Sequence, residues 1–582
     1  MLTCIVPRKN ILVAAGLSVF LFLIYNLNFR LISSGDALPA KLLPVSILVD
    51  GNFYLDRFYS LKERPDGYGL TSSRSGHLVS VYPVVAPILA VPIYAGPIVF
   101  LKSRHNSYQS TRFRWLLDCL EKISASLITA LSAFFIFWIL VEYAPMVWAI
   151  ILTLVYGLCT NTWAISSQGL WQHGPAELLL CISLYAAIKL PVSSRWIYPL
   201  AISSALSFAN RPINVIFTIA FLVYVSLIYH RLIFRYLLCV AMVGLALITY
   251  NLFAFGQPFG GYYVVLPSTL LHSQDPFYLR LLAMLFSPSR GLLIFSPILA
   301  LGFWGIFRSW KQHPVTNKDV LLRILGLSSL SIILILSSMF KWWGGWCYGP
   351  RFLTDIIPIL IFGMVNIISK FKPASRIIFI LLVIWSALIQ FVGAFYYPNR
   401  TWDSFPVSVD VSPQRVWDLK DNQILRSFRA GMLVPTLLEQ GKVLFFPPQK
   451  LSQEGYKVGF DKPSFPNTMR CGHLASGILK VVNLSKFTWP SYADTLGFHV
   501  VRAAYHWRDV VTDSFVVFDG WRTALPRDLS PGSSVDLRMN IEPPSVPGRY
   551  ILDISLVQEG DAWFEEMGAS TLRLPITVFT DK

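Results

Sequence analysis

The chain has 582 residues, of which 54% are apolar and only 14% are charged, and its mean hydropathy is +0.54. A soluble globular chain is about one quarter charged, so this composition excludes a water-soluble enzyme. The 49 Lys and Arg outnumber the 32 Asp and Glu and give a formal net charge of +17, which in a membrane protein indicates headgroup contacts and orientation signals. The sequence lacks a basic helix or an aromatic-interleaved basic run, so no nucleic-acid partner is expected.

The first apolar run extends from Ile11 to Asn28 and follows Arg8 and Lys9. No small-residue cleavage site comes after it, so we predict a retained first span with a cytoplasmic N-terminus. Apolar windows of about 17 to 25 residues are long enough to cross a hydrocarbon layer of about 30 Å. The further apolar segments lie at about 82–101, 123–142, 145–162, 174–190, 196–210, 212–229, 233–254, 291–309, 322–340, 353–369 and 376–396.

Basic residues in the loops set the predicted orientation, because Lys and Arg mark the cytoplasmic side. Their clusters are Lys189/Arg195, Arg231/Arg235, Arg308/Lys311/Lys318/Arg323 and Lys370/Lys372/Arg376. The orientation set by these loops agrees with a cytoplasmic N-terminus only if one apolar segment before residue 162 does not cross the membrane. We choose 82–101, whose four prolines are expected to break helical hydrogen bonding. About eleven spans result, and the basic stretch Lys102–Lys122 is left outside, against the charge rule.

After residue 396 the composition changes to short apolar runs separated by turn signals such as Ser530-Pro531-Gly532. The strand candidates are Ile478–Val482, Phe498–Ala504, Ser514–Val517, Val535–Met539, Tyr550–Val557 and Leu572–Val578. Their spacing suggests a small β-sandwich. The predicted fold is therefore an all-α polytopic membrane domain (1–396), an irregular connecting region (397–474) and an exoplasmic β-sandwich domain (475–582).

Neither a metal site nor a disulfide framework is predicted. The seven cysteines are scattered without a C-x-x-C pair. Asp50 and Asp56 form an acidic pair in the first outer loop, but a hard cation would need further oxygen ligands at this spacing. Asp followed by Gly is typical of a tight turn, so Asp50 is explained by a turn at Asp50-Gly51 rather than by a metal.

Asp36 follows the first span directly, in Ser34-Gly35-Asp36. An acid at the mouth of a helix bundle has its orientation set by the bundle, which suits a general base. Its spacing alone favours a different role, as a cap for the helix that begins near Pro39.

Aromatic and basic residues gather at the outer ends of later spans. Trp171 and His173 lie at one membrane boundary, where Trp is common and an ionisable group is expected to face a cavity. The segment Lys341–Arg351 combines three Trp, a Tyr and a Gly pair with a terminal Arg. Arg forks onto phosphate oxygens, and aromatic rings stack on sugars, so this segment suggests a binding site. Arg290 and Arg211 are further outer cations.

The order of several motifs resembles bacterial GT-C glycosyltransferases of the mannosyltransferase and aminoarabinose-transferase kind. The resemblance covers about residues 10–396, and no single motif is decisive. Its elements are Ser34–Asp36, Gly76–Pro83, Tyr156–Thr160 running into Trp163–His173, Asn210–Pro212, Tyr250-Asn251 with Phe255–Phe259, Ser287–Gly291 and Trp342–Arg351.

The resemblance implies an enzyme of the cell envelope that takes a sugar from a polyprenyl-phosphate donor, with Asp36 as catalytic base in an inverting transfer. A Lys that often precedes the family's Tyr-Pro pair is absent, since Ser80 and Val81 lie before Tyr82. Phosphate binding is therefore expected from Arg351, Arg290, His173 and Lys341. The residues expected to line the sugar or acceptor are Trp342, Trp346, Tyr348, Trp171, Tyr82 and Asp50. No metal or other cofactor is predicted, because polyprenyl phosphate is already a fair leaving group.

Three other functions stay open at this stage. A flippase or transporter of lipid-linked sugars would use the outer aromatic and basic residues as a substrate vestibule. Such a protein is expected to have ionisable residues near the middle of its spans, and the apolar segments contain very few. A metal-dependent transferase would need a second outer acid, which Asp50 or Asp56 could supply. A catalytically inactive relative would bind glycans through its β-sandwich. The sequence does not identify the sugar or the glycan, lipid or protein acceptor.

Overall fold

The computed structural model describes residues 8–61, 68–101, 111–261, 275–368, 370–398, 401–404, 406–432, 436–471, 473–493 and 497–580. The chain divides into two compact units, Met1–Leu433 and Val434–Lys582. The first is helical and the second is rich in β-strands. Each unit has a hydrophobic core of its own.

The first unit is built almost entirely from helices. They are α1 (Arg8–Asn26), α2 (Leu38–Val49), α3 (Val85–Leu101), α4 (Thr111–Val141), α5 (Met146–Leu158), α6 (His173–Lys189), α7 (Ile197–Asn210), α8 (Val215–Ile228), α9 (Ile233–Phe255), α10 (Phe277–Phe286), α11 (Leu292–Phe295), α12 (Ala300–Ser309), α13 (Asn317–Ser338), α14 (Ile357–Gly363), α15 (Val365–Ile368), α16 (Pro373–Tyr396), α17 (Thr401–Ser404) and α18 (Gln423–Ala430). A hairpin of β1 (Leu70–Ser72) and β2 (Leu78–Ser80) precedes α3.

Six helices in the described part of the chain are long and apolar enough to cross a membrane. They are Lys9–Asn26, Arg112–Val141, His230–Phe255, Asn317–Ser338, Arg351–Ile368 and Pro373–Tyr396. The predicted largely helical membrane domain is therefore present. Four further apolar helices, such as Met146–Leu158 and Pro212–Ile228, are shorter.

The structure differs from the prediction for segment 82–101. The prolines were expected to break this helix, but α3 is continuous through Pro92 and Pro97. A proline removes only its own N–H donor and strains the preceding turn, so its cost is local. Packing of α3 against α2 supports the helix despite these losses.

Helix α4 begins at Thr111, about twelve residues before the apolar segment predicted from the sequence. Its first turns carry charges that the apolar pattern does not include. Lys41 of α2 lies 2.8 Å from Asp118 and 3.4 Å from Glu121. Because these charges pair with one another, the helix extends through a stretch that looked like a basic loop. Residues 102–110 of that stretch lie outside the described residues.

Glycines allow α12 to approach α14 closely. A Cβ added at Gly305 would lie 1.9 Å from the carbonyl oxygen of Gly363, and one at Gly302 would lie 2.5 Å from that of Leu360. Helices inside a membrane gain little from the hydrophobic effect against each other, so close backbone approach at small residues is an important source of packing energy.

The described residues of the second unit contain one α-helix, α19 (Thr436–Phe445), followed by strands. The strands are β3 (Val458–Ser464), β4 (Thr468–Arg470), β5 (Ala475–Asn483), β6 (Val501–Asp509), β7 (Phe515–Val517), β8 (Thr523–Ala524), β9 (Ser534–Ile541), β10 (Gly548–Gln558), β11 (Ala562–Trp563) and β12 (Leu572–Phe579). All six predicted strands are present. The predicted irregular region 397–474 also contains α17–α19, β3 and β4.

These strands form two sheets around one core. One sheet has the order β4-β12-β10-β6-β7, with β11 beside β10 and β8 beside β6, and the other has the order β3-β5-β9. All pairings are antiparallel except that of β12 with β4. Alternate residues of β5 and β9 are buried with Trp507 and Leu552 of the larger sheet. This shared core has the arrangement of a β-sandwich.

We predict that Gly305→Ala destabilises the first unit, because the new methyl group would overlap the backbone of α14. Overpacking of this kind costs about 1–3 kcal/mol. The matched control is Gly244→Ala in α9, where an added Cβ meets nothing within 4 Å. Thermal unfolding of the purified protein in detergent should show a lower Tm for Gly305→Ala only. Equal Tm values for the two variants would contradict the close helix contact.

Candidate functional site

The segment between α1 and α2 holds Asp36 in a short turn. Gly35–Ala37 forms one turn of 3-10 helix, and the Ser34 hydroxyl accepts a hydrogen bond from the Asp36 backbone N–H at 3.2 Å. The N-cap of α2 is Ala37, which has no capping side chain. The alternative role of Asp36 as a helix cap is therefore wrong, and its carboxylate is directed to other partners.

The Asp36 carboxylate contacts two residues that are distant in sequence. Its Oδ2 accepts a hydrogen bond from Nη1 of Arg351 at 2.7 Å, and its Oδ1 accepts one from the Tyr82 hydroxyl at 2.8 Å. The Asp36 side chain is 29% exposed, whereas that of Arg351 is 10% exposed. Burial and the neighbouring carboxylate both raise the pKa of Tyr82, so its phenol stays protonated and donates to Asp36. A solvent-accessible carboxylate is thus held from both sides.

The Arg351 guanidinium retains unused donors. Only Nη1 forms a hydrogen bond in the described part of the chain, and Nε is buried without a partner. Its carbon Cζ lies 4.5 Å from the centre of the Trp171 ring, a cation–π contact. The Trp171 indole donates to the carbonyl oxygen of Ile32 at 3.3 Å. Trp171 therefore connects Arg351 to the segment that carries Asp36.

The start of α6 and the turn after Arg351 support this arrangement. Nδ1 of His173 lies 3.0 Å from the Thr354 hydroxyl, which also donates to the carbonyl oxygen of Arg351 at 3.1 Å. Arg211 forms a buried ion pair with Asp355. His173 is 5% exposed, so it acts on Arg351 through Thr354 rather than from an open surface.

Glycines shape the loop that leads to Arg351. Gly344, Gly345 and Gly349 all have positive φ angles, between 67° and 81°, which side-chain-bearing residues rarely adopt. A Cβ at Gly349 would lie 2.5 Å from the ring of Phe295. The backbone conformation of this loop therefore requires its glycines.

Arg290 supports this loop through hydrogen bonds, and Asp36 is not among its acceptors. Its side chain is 2% exposed and forms five hydrogen bonds. The acceptors are the carbonyl oxygens of Trp343 (2.8 Å), Ser289 (2.8 Å) and Gly345 (3.0 Å), Gln423 Oε1 (2.7 Å) and Asp403 Oδ1 (2.7 Å). All its donors are thus used within the protein, where Arg290 supports the loop, and its predicted role in phosphate binding stays a prediction.

Two residues after the last long helix also support the loop before Arg351, and neither is among the residues predicted from the sequence. Gln423 accepts from the Gly349 N–H at 2.8 Å and donates to the carbonyl oxygen of Cys347 at 2.7 Å. Asp403 is fully buried against Arg290. Both lie in a segment without a clear periodic pattern, and only their polarity beside apolar neighbours could have indicated them.

Several predicted lining residues lie away from the Asp36 carboxylate or inside the protein. Tyr348 is fully buried and donates to the carbonyl oxygen of Ile389 at 2.9 Å. Trp342 is 3% exposed in the main core, whereas Trp346 is 36% exposed. Lys341 is half exposed and lies 3.7 Å from Asp410. Tyr348 and Trp342 are therefore core residues in this structure, and their predicted role as sugar-lining groups stays a prediction.

The other acids of the first outer loop have their own partners. Asp50 pairs with Arg57 at 2.6 Å, and Asp56 lies 2.6 Å from Nδ1 of His77. Among the described residues, neither acid contacts Asp36, and the predicted role of Asp50 in lining the site stays a prediction. No group of three or more His, Cys, Asp or Glu among the described residues has the arrangement of a metal site.

We predict that Arg290→Met lowers stability much more than Arg351→Met. Loss of Arg290 leaves Asp403 buried without its charge partner, at a cost of about 3–5 kcal/mol. Loss of Arg351 leaves Asp36 partly solvated, at a cost of about 1 kcal/mol. Tm values of the two variants, measured in the same detergent, test this difference. Equal losses would show that Arg351 is also a structural residue.

Comparisons with known proteins give structural matches only. No protein-family model and no curated protein matches the chain. Among solved structures, the chain is similar to the aminoarabinose transferase ArnT from Cupriavidus metallidurans bound to undecaprenyl phosphate, with 11% identity and a TM-score of 0.38. The match covers 64% of this chain and 62% of ArnT, so the chain spans less than two thirds of that protein.

Two further matches are weaker. A mutant β-glucosidase from Listeria innocua with laminaribiose has 14% identity and a TM-score of 0.14, over 21% of this chain and 16% of that one. The alkylpurine DNA glycosylase AlkC from Pseudomonas fluorescens, bound to DNA, has 10% identity and a TM-score of 0.15, over 70% of this chain and 95% of that one.

Proposed function

We propose that the protein is an integral membrane glycosyltransferase that moves a sugar from a polyprenyl-phosphate donor to an acceptor on the exoplasmic side. The observation that carries the proposal is the contact of Asp36 with Arg351, in which a solvent-accessible carboxylate lies beside a guanidinium with spare donors. A transfer reaction needs both a proton acceptor and a cation for the leaving phosphate, and here the two are adjacent.

Asp36 acts as the base. The acceptor hydroxyl attacks the anomeric carbon as its proton passes to Asp36, and the bond between that carbon and the phosphate oxygen breaks. The electron pair of that bond leaves with polyprenyl phosphate, and attack from the opposite face inverts the anomeric carbon. The Tyr82 hydroxyl holds Oδ1 of Asp36, which leaves Oδ2 for the reaction. Proton loss to water restores the carboxylate.

Arg351 binds the phosphate of the donor. Its two Nη groups match the fork of phosphate oxygens, and hydrogen bonds to ionised groups are the stronger kind. Phosphate competes with Asp36 for Nη1, so donor binding also frees Oδ2 to accept a proton. Gly345 keeps the space beside Nη2 open, because a Cβ there would lie 3.8 Å from it.

We infer eleven spans with the N-terminus in the cytoplasm and the tail outside. Two contacts support a non-crossing α3. Ser33 donates to Glu121 at 2.5 Å, and Lys41 pairs with Asp118. The start of α4 therefore lies beside Asp36, so the chain between residues 41 and 118 leaves and returns at the same end of the bundle. The domains are proposed as 1–396, 397–474 and 475–582.

Two of the other functions have less support. A transporter of lipid-linked sugars does not need a base held by both Arg351 and Tyr82. A metal-dependent transferase needs a second acid beside Asp36, and Asp50 is instead paired with Arg57. The activity of the purified protein with and without a chelator separates this second case from the proposal.

We predict that Asp36→Asn reduces sugar transfer by at least ~100-fold, because an amide does not accept the proton. The measurement is transfer from a polyprenyl-phosphate sugar by membranes with matched protein levels. Asp50→Asn, which removes an acid from the same outer loop, should retain most activity. Full activity of Asp36→Asn would refute the base, and a loss with Asp50→Asn as large as that with Asp36→Asn would favour the two-acid, metal-dependent enzyme.

We predict that Arg351→Gln weakens binding of polyprenyl phosphate about 10- to 100-fold, since hydrogen bonds to charged groups contribute about 1.5–3 kcal/mol. The matched control is Arg57→Gln, which breaks the Asp50 ion pair in the first outer loop. Titration of the detergent-solubilised proteins with polyprenyl phosphate measures both dissociation constants. Equal weakening by the two variants would place the phosphate elsewhere.

A further inference from the structure

A second polar site lies at the other end of the helix bundle. It is a cavity of about 460 Å³ at the C-terminal end of α12. Its lining includes the basic side chains of Arg308, Lys311 and Lys370, the imidazole of His313, and the rings of Trp304 and Phe307. No acidic side chain lines it among the residues that the structure describes, so its basic groups give it a positive electrostatic potential.

The positive charges of this cavity are not neutralised by the protein. Within the described chain, Arg308, Lys311 and Lys370 form no side-chain hydrogen bond or ion pair. Neighbouring cations differ, because Lys318 donates to Asn366 at 2.7 Å and Arg323 donates to the carbonyl oxygen of Ser309 at 2.6 Å. Lys311 lies 5.0 Å above the ring of Phe307, which directs its ammonium without removing its charge.

The connecting helices place this cavity far from Asp36. Helix α13 runs from the loop after Lys311 to the loop that contains Lys341, and its 22 residues span about 33 Å. The segment Arg351–Ile368 returns from Arg351 to Lys370. The two sites therefore lie at opposite ends of helices that are long enough to cross a bilayer.

The exposed rings indicate that the cavity lies at the depth of lipid headgroups. Trp304 is 52% exposed and Phe307 is 49% exposed, although both are large aromatic side chains. Such rings are common where the hydrocarbon layer meets water. Unpaired cations beside exposed rings match a ligand with an anionic head and apolar chains, whereas a free anion would not need the rings.

We propose that this cavity binds the phosphate headgroup of an anionic phospholipid in the leaflet opposite the Asp36 site. Arg308, Lys311 and Lys370 contact the phosphate oxygens, and Trp304 and Phe307 contact the upper part of the acyl chains. The proposal does not depend on the transfer reaction, because the two sites share no residue. A bound lipid would join the end of α12 to the turn before α16.

The test compares two charge-matched triple variants of the full chain in detergent. One is Arg308→Gln/Lys311→Gln/Lys370→Gln, and the other is Arg195→Gln/Arg231→Gln/Arg235→Gln, which removes three exposed cations from other loops. Each protein is titrated with phosphatidylglycerol, phosphatidylcholine or inorganic phosphate, and thermal unfolding is followed. The cavity variant should bind phosphatidylglycerol at least ~10-fold more weakly than the wild type, and the control variant within ~2-fold of it.

Phosphatidylcholine and inorganic phosphate should not raise the Tm at concentrations where phosphatidylglycerol does. Equal weakening in both triple variants would overturn the proposal, because it would show only a general effect of net charge. Stabilisation by inorganic phosphate equal to that by phosphatidylglycerol would overturn the assignment to a lipid. If the cavity variant does not fold, Lys370→Gln and Arg231→Gln give the same comparison with single exposed residues.

Discussion

The ion pair between Asp36 and Arg351 joins parts of the chain that are 315 residues apart. Charges at the edge of a membrane bundle lose hydration, and this loss has to be offset by well-placed partners. Here the carboxylate has a guanidinium on one oxygen and a phenol on the other, and it keeps partial access to solvent. A fully buried pair would be inert, and a fully exposed one would not be held in place. The intermediate exposure is what makes the pair suitable for chemistry.

Much of the surrounding structure serves to keep this pair in position. The segment after α1 is tied to residues 168–171, where the Ile32 N–H donates to the carbonyl oxygen of Gln168 at 3.0 Å. Arg30 donates to the carbonyl oxygen of Tyr397 at 2.8 Å, which fixes the same segment to the end of α16. On the other side, Arg290 and Gln423 hold the glycine-rich loop before Arg351. Both charges are thus fixed by hydrogen bonds to backbone rather than by apolar packing alone.

The two arginines differ in how many of their donors the protein satisfies. Arg290 and Arg351 both belong to glycine-containing outer motifs, Ser287–Gly291 and Lys341–Arg351, and the resemblance gives them the same expected role. Arg290 uses five hydrogen bonds within the protein, whereas Arg351 uses one. A guanidinium whose donors are all hydrogen-bonded within the protein has none left for a ligand. A guanidinium with unpaired donors gains hydrogen bonds when a ligand binds. The count of satisfied donors therefore distinguishes them where the motif does not.

The parts of the fold that follow from periodicity were predictable from the sequence. The apolar segments became helices, and the alternating runs of the tail became β5, β6, β7, β9, β10 and β12. The early start of α4 was not predictable, because its first turns carry Asp118 and Glu121, whose stabilising partner Lys41 is distant in sequence. The continuity of α3 through two prolines depends on tertiary packing, which no local rule contains. Asp36 and Arg351 were named through the motifs of the resemblance, whereas Asp403 and Gln423 lie in a segment without a periodic pattern, where only their polarity beside apolar neighbours distinguishes them.

We propose that Arg351 exchanges Asp36 for the phosphate of a polyprenyl ligand when that ligand binds. The most direct measurement is an experimental structure of the full chain with polyprenyl phosphate bound. We expect a phosphate oxygen within hydrogen-bond distance of the Arg351 guanidinium and an Oδ2 of Asp36 that no longer contacts Nη1. A phosphate bound elsewhere, with the ion pair of Asp36 and Arg351 unchanged, would contradict the account.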